Sequence, residues 1–230
     1  MHIPDGFINA GTSLGAGAVA FGGIGLALRR TSRTLQDKHI PLAGLVSAFV
    51  FAAQMLNFPV GAGTSGHLLG GVLATVLVGP WAGAVCVTVV LIVQALFADG
   101  GLSALGLNVV NIALVGGLGG YAVFAFVRKA LPKTRAGVVI ASGAAAGASV
   151  VLAALALSAE YALGGAVELP VVSVAVAMVA VHVLIGAGEA VITAMTVAAV
   201  VGVRPDLVHG AAHLGALRQL DARRRVVAGG

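Results

Sequence analysis

The chain has 230 residues, 59% of them hydrophobic and 9% charged, with a formal net charge of +5 and a mean hydropathy of +1.07. A water-soluble domain carries about 25% charged residues, so this composition excludes a surface bathed mainly by water and leaves lipid as the solvent. One cysteine, Cys86, excludes a disulfide framework and a thiolate metal cluster; inside the apolar run from Gly83 to Val93 it reads as a small core hydrophobe.

The first ten residues, Met1 to Ala10, contain no Lys or Arg. A secretory signal needs a positive region ahead of its apolar stretch, whereas here Arg29 and Arg30 follow the apolar stretch. That order predicts a first transmembrane helix whose far end is cytoplasmic. Hydropathy and Gly/Pro breakers then divide the chain into seven candidate spans, at 8–28, 41–57, 67–79, 81–98, 107–127, 136–158 and 171–202. A span needs about 20 residues. The third is short by that measure, and Gly79-Pro80-Trp81 separates it from the fourth, so a steep helix, a half-helix or a re-entrant element all remain open. The seventh is long, which predicts tilt or extension beyond the membrane.

The basic residues test this map. Arg29, Arg30, Arg33 and Lys38 lie between spans one and two; Arg128, Lys129, Lys133 and Arg135 lie between five and six; Arg204, Arg218, Arg223, Arg224 and Arg225 lie in the tail. With seven spans these segments share one side, which the positive-inside rule makes the cytoplasm. Asp5, Asp99, Glu160 and Glu168 fall on the other side, and the basic balance becomes a topology signal rather than a nucleic-acid footprint. The predicted fold is therefore all-α, a polytopic integral membrane bundle of about seven transmembrane helices, N-terminus outside and C-terminus cytoplasmic. Residues 1–203 form the transmembrane domain and 204–230 a cytoplasmic basic tail. The 34 glycines, many at helical spacing, suit either close packing within the bundle or a smooth surface for a partner subunit.

Polar side chains are so few that each is informative. His39, His209 and His213 sit on the cytoplasmic side, where a solvated role is expected. His2 stands apart. The Met1 amine, the His2 backbone nitrogen and a His2 ring nitrogen can close a five-membered and a six-membered chelate ring on one metal, nearly in one plane. The amide must lose its proton, which Ni(II) and Cu(II) promote well and Co(II) less well; planar nitrogen ligation suits the first two ions. Ile3-Pro4-Asp5-Gly6 is a turn signal that would fold the amine back into the bundle and leave Asp5 to hydrogen-bond a ligand. His67, at the predicted start of span three after a flexible uncharged loop from Asn57 to Gly66, would supply a fourth nitrogen. There the helix dipole would keep it neutral, as a ligand must be.

Asn108 and Asn111, one turn apart, are placed to orient His67 or the N-terminal loop, or to form a structural hydrogen-bond lock; Gln94 carries the same ambiguity. His182 and Glu189 share a face of span seven and read as a structural lock or as a gate coupled to a partner subunit. No Walker motif and no His-Glu-x-x-His sequence occurs, so the chain is read as a non-enzyme without a cofactor of its own. A self-sufficient secondary metal-ion transporter is the alternative, but it would want several intramembrane acids and only Glu189 qualifies.

Met1-His2-Ile3-Pro4-Asp5-Gly6-Phe7, Asn57-Phe58-Pro59, Gly63-Thr64-Ser65-Gly66-His67, Gly79-Pro80-Trp81, Gln94-Ala95-Leu96, Asp99-Gly100-Gly101 and Gly106-Leu107-Asn108-Val109-Val110-Asn111 resemble CbiM/NikM proteins, the S components of group I energy-coupling-factor transporters for cobalt and nickel. The resemblance runs in order over about residues 1–200. It implies a metal held by the terminal amine, the His2 amide and ring nitrogens, and His67. It implies as partners a transmembrane coupling T component, two ATPase subunits and often a small accessory membrane subunit, in the plasma membrane of a prokaryote. The bound substrate is then Ni2+, or Co2+ for cobalamin synthesis. The planar chelate and the Gly-Thr-Ser-Gly-His loop, which departs from the Ser-His loops of some cobalt members, tilt the reading toward nickel.

Overall fold

The computed structural model describes residues 1–60, 64–97, 99–212 and 214. Its helices are α1 (Ala10–Thr34), α2 (Ile40–Gln54), α3 (Gly71–Val78), α4 (Pro80–Leu96), α5 (Leu105–Ala130), α6 (Arg135–Gly164) and α7 (Val171–Val203). The molecule is a polytopic all-α bundle. Four of its helices, α1, α5, α6 and α7, are long and apolar enough to cross a bilayer unaided. α2 and α4, with 15 and 17 residues, are shorter.

The third predicted span takes the half-helix form among those the sequence left open. α3 has eight residues, about 12 Å at 1.5 Å per residue, less than half the hydrocarbon thickness. Residues 67–70 are not helical; Gly70 takes φ 68°, outside the right-handed helical region, and an added Cβ there would stand 2.8 Å from Val50 Cγ2. The loop before it is not the flexible connection expected. Phe58–Val60 (β1) and Thr64–Gly66 (β2) pair antiparallel, with Phe58 opposite Gly66 and Val60 opposite Thr64. The chain thus leaves α2, forms a small ribbon, descends in extended form and finishes the crossing as a half-helix.

Every residue of α3 is buried, as befits a helix apolar on all sides. Its neighbours approach at backbone distance. A Cβ on Gly83 of α4 would fall 2.6 Å from the Thr75 backbone, and one on Gly71 would fall 2.9 Å from the backbone of Gly116 and Gly117 in α5. The middle of α5, Val109–Gly119, is wound as a π-helix, a widening that accompanies functional or crowded crossings. Gly143 and Gly147 of α6 likewise meet the backbone of Ala190 and Gly186 in α7. Many glycines therefore serve internal packing. On the outer face of α1, in contrast, Gly15, Gly22 and Gly25 face open space.

The cytoplasmic end carries Arg29, Arg30 and Arg33 at the end of α1, with Arg128 and Lys129 at the end of α5. Arg30 stacks over the Trp81 ring at 5.6 Å. Residues Pro205–Leu207 and His209–Ala211 form two 3-10 turns that bury Val208 and Ala211 against this end. His39 is half-buried and His209 exposed. His213 and residues 215–230 lie outside the described residues.

The glycine contacts predict a contrast in stability. Gly83→Ala, forced against the Thr75 backbone, is expected to destabilise by about 1–3 kcal/mol. Gly22→Ala, with nothing within 4 Å, is expected to leave thermal unfolding of the detergent-purified protein unchanged or slightly raised. Equal melting temperatures for the two variants would contradict this packing.

Candidate metal site at the buried amino terminus

Met1, His2, Ile3, Phe7 and Ile8 are buried, with an exposed turn at Pro4-Asp5-Gly6 between them. Met1 and Ile3 are fully buried and Phe7 nearly so, and seating three such side chains contributes about 1.5–3 kcal/mol each. Pro4 opens a turn in which Gly6 takes φ 76° and the Phe7 N–H reaches the Pro4 carbonyl at 3.4 Å. Phe7 then packs on Tyr161, ring centroids 5.0 Å apart, while Asn9 N–H donates to the Gly164 carbonyl at 2.7 Å and the Asn9 side chain caps α1. The apolar residues hold the strand down; the Pro-Gly turn lets it reverse into α1.

Asn108 fixes how far the terminus inserts. Its Oδ1 accepts from the Ile3 N–H at 2.7 Å and its Nδ2 donates to the Ile3 carbonyl at 3.2 Å. Gly101 N–H donates to the same carbonyl at 2.9 Å. Gly100 and Gly101 are required here. A Cβ on Gly101 would collide with the Asp5 backbone, and Gly100, at φ 100°, lies where a Cβ would press on His2 and Asn108. Asp5 was expected to bond a ligand. Instead it is exposed and accepts from Ser103 N–H at 2.8 Å and Ser103 Oγ at 2.5 Å, clipping the N-terminal turn to the 99–104 loop. Asn111, expected to share the work of Asn108, donates to Glu160 Oε2 at 2.6 Å and so ties α5 to α6.

This seat places the Met1 amine and His2 inside the protein. His2 Nε2 lies 3.1 Å from Gln94 Oε1 and its Nδ1 lies 3.3 Å from Asp99 Oδ1, so the ring has a polar side chain at each nitrogen. Burial lowers the amine pKa well below 8.0, with Asp99 opposing it, and lowers that of His2 from 6.5. The His2 imidazole holds the Asp99 carboxyl below its ordinary range. Asp99 was read only as an outer-side charge. The signal that marks it was present in Asp99-Gly100-Gly101, but only the fold shows that the turn delivers the carboxylate to His2.

His67 is fully buried and its ring lies 4.3 Å from that of His2, centroid to centroid, at 28° between planes. Its Nδ1 donates to the Leu68 carbonyl at 2.8 Å, and its Nε2 has no hydrogen-bond partner. His67 does not sit at a helix start, since α3 begins four residues later. No helix dipole therefore acts on it at this point of the chain. Glu189 accepts from Leu69 N–H at 2.5 Å and Gly70 N–H at 2.8 Å, and Gln54 Nε2 donates to the Leu69 carbonyl at 2.6 Å. His182 and Glu189, read as a structural lock or a gate, bond to different groups, His182 Nδ1 donating to the Met178 carbonyl at 2.7 Å.

Among the described residues no three His, Cys, Asp or Glu side chains converge as metal ligands. The donor set available at this point consists of two imidazole nitrogens together with backbone nitrogen. That is a cluster of uncharged nitrogen bases beside one carboxylate, suited to a borderline transition metal rather than to Ca2+ or Mg2+.

Residues 2–207 match the family described as "Cobalt uptake substrate-specific transmembrane region", CbiM. The chain belongs to the CbiM family. A putative metal transport protein of Haloquadratum walsbyi is 47% identical over 133 residues, 56% of this chain and 60% of that protein. The fused nickel transport protein NikMN of Rhodobacter capsulatus is 39% identical over 163 residues, 70% of this chain and 47% of that protein. The chain thus spans about half the length of these curated relatives. A crystal structure of a truncated transition metal transporter superposes with a TM-score of 0.79 at 30% identity, covering 86% of this chain and 96% of that one. The CbiM-family match starts at His2, so the inserted terminus lies within the family's matched region.

The Asn108 contacts predict that Asn108→Ala releases this terminus. Protection of the Ile3 and Phe7 amides from hydrogen exchange should fall about 10- to 100-fold, equivalent to about 1–3 kcal/mol for unpaired buried backbone groups. Asn111→Ala should leave both amides protected. Full protection of Ile3 in Asn108→Ala would show that something else seats the terminus.

Proposed function

We propose that this chain is the substrate-capturing membrane subunit, or S component, of an energy-coupling-factor importer for a divalent transition metal, Ni2+ or Co2+. The ion would be held by the Met1 amine, the His2 amide and Nδ1 nitrogens, and His67 Nε2. The observation that carries this reading is the approach of the His2 and His67 rings beside a buried amine. Two imidazoles bound at right angles on one ion, with metal–nitrogen bonds of about 2.0 Å, place their centroids about 4.5 Å apart; the separation here is 4.3 Å. His67 Nε2 bears a lone pair and has no hydrogen-bond partner, and His2 Nδ1 meets only the Asp99 carboxylate, at 3.3 Å, a contact it would exchange for the ion. Coordination by both turns the stacked rings edge-on to the metal.

The chemistry around the nitrogens is consistent with capture. Burial lowers the pKa of the amine and of His2, which lessens proton competition for their lone pairs. Gln94 and Asp99 orient the His2 ring and the Leu68 carbonyl fixes the tautomer of His67, as groups behind a ligand do. Asp99 supplies a negative charge that draws the cation and offsets part of its charge. The relatives named for nickel and the family named for cobalt leave both ions as substrates; planar nitrogen ligation favours nickel on chemical grounds.

Transport would depend on partners: a transmembrane coupling T component, two ATPase subunits, and a small accessory membrane subunit. The sequence has no Walker motif, so energy would come from the ATPases. A self-sufficient carrier is less well supported, because Glu189, the acid it would use, has both oxygens engaged by backbone N–H groups.

The test is the metal content of the purified protein by mass spectrometry, with intact mass establishing that Met1 is the mature terminus. Wild type is expected to hold about one Ni or Co. His2→Ala, which removes the imidazole but keeps the amine, and His67→Ala are each expected to lose it; retention by both would reject the chelate. Loading must strip a proton from the His2 amide, so affinity should fall about tenfold for each pH unit lowered, as titration calorimetry at pH 6, 7 and 8 would measure. A flat profile would mean that the amide is not a ligand.

A further inference from the structure

A second buried imidazole lies beneath this cluster and has the same arrangement of proton and lone pair as His67. His182 is fully buried. Its Nδ1 is 2.7 Å from the Met178 carbonyl. A carbonyl only accepts, so the proton sits on Nδ1 and the lone pair on Nε2, an atom that is buried and has no hydrogen-bond partner. His67 is built alike, with Nδ1 tied to a carbonyl and Nε2 unpartnered. A histidine kept only as a structural lock would spend both nitrogens on hydrogen bonds, because an unmet polar atom inside a membrane protein costs free energy.

His182 lies against the backbone that leads into His67. A Cβ on Gly66, the residue before His67, would stand 3.4 Å from His182 Cε1, the ring carbon beside Nε2, and 2.5 Å from Ile185 Cδ1. Gly66 therefore lets the backbone leading into His67 lie directly on His182. His182 is eleven residues into α7, which begins at Val171, or roughly 16 Å along the helix. It stands one helical stretch above Glu189, which holds the extended segment after His67.

We infer that His182 Nε2 and His67 Nε2 together form a second, inner position for the divalent metal, deeper than the terminal chelate. This rests on the proposed function in taking the metal as the ligand. An ion passing to the inner position keeps His67, gives up the three nitrogens of Met1 and His2, and the His2 amide recovers a proton from water. Among the described residues no third His, Cys, Asp or Glu joins the pair. The inner position is accordingly weak, as a transfer position has to be if the ion is to leave it.

The test uses the full chain in detergent, titrated with Ni2+ and with Co2+, in the wild-type background and in His2→Ala, which removes the imidazole of the terminal chelate. His182→Asn is the informative substitution: its amide can still donate to the Met178 carbonyl but offers nothing at the Nε2 position. His182→Gln is a second variant in case the first unfolds, and thermal unfolding checks both. His182→Asn alone should leave the tight site within about threefold of wild type. His2→Ala should leave one residual site roughly a hundredfold weaker than the tight site, and adding His182→Asn should abolish it. No residual binding in His2→Ala, or residual binding that survives His182→Asn, would overturn the inner position. If His2→Ala binds as tightly as wild type, the terminal chelate fails instead; His182→Asn alone then decides the inner position, by loss of metal or by its retention.

Discussion

The structure turns on a stretch of backbone that crosses the membrane interior without being helical. Residues 67–70 lie inside the bundle ahead of the half-helix α3, where no lipid can satisfy an N–H or a carbonyl. Such a stretch is tolerated only if protein groups supply the missing partners. Glu189 takes the N–H groups of Leu69 and Gly70, and Gln54 donates to the Leu69 carbonyl. Two polar side chains in apolar helices thereby become intelligible. They are buried because the extended segment needs them, and the extended segment is there because it presents His67 at depth.

The amino terminus answers the same constraint from the other side. The Ile3 peptide and the His2 ring enter the core, and each is met by groups from a distant part of the chain: Asn108 and Gly101 on the Ile3 backbone, Gln94 and Asp99 on the His2 ring. Apolar burial of Met1, Ile3 and Phe7 provides the driving force; the hydrogen bonds fix the register.

Much of this was legible from residue order. The spans at 107–127, 136–158 and 171–202 correspond to α5, α6 and α7 because long apolar runs bounded by Arg and Lys admit no other solution in lipid. That His2 and His67 belong together was legible because an apolar chain retains few histidines, and the structure stacks their rings. The break inside span three was left open, since Leu68 to Val78 is apolar enough for a helix. Gly70 leaves the right-handed helical region there and stands against Val50, a contact between residues twenty positions apart. The roles of Asn108 and Asn111 were equally closed to reading by spacing. They lie one turn apart, yet one seats the terminus and the other joins α6 through Glu160.

By itself the sequence determined that the chain is a polytopic helical membrane protein, which side faces the cytoplasm, and which nitrogens can chelate. Those follow from composition, charge placement and bond connectivity, all local or additive properties. Only the tertiary structure decided that Asp99 stands beside His2, that Glu189 serves the backbone rather than His182, and that the lone pairs of His67 and His182 are buried without partners. Those are statements about which groups are left unsatisfied once every helix has packed, and that balance exists only in the folded chain.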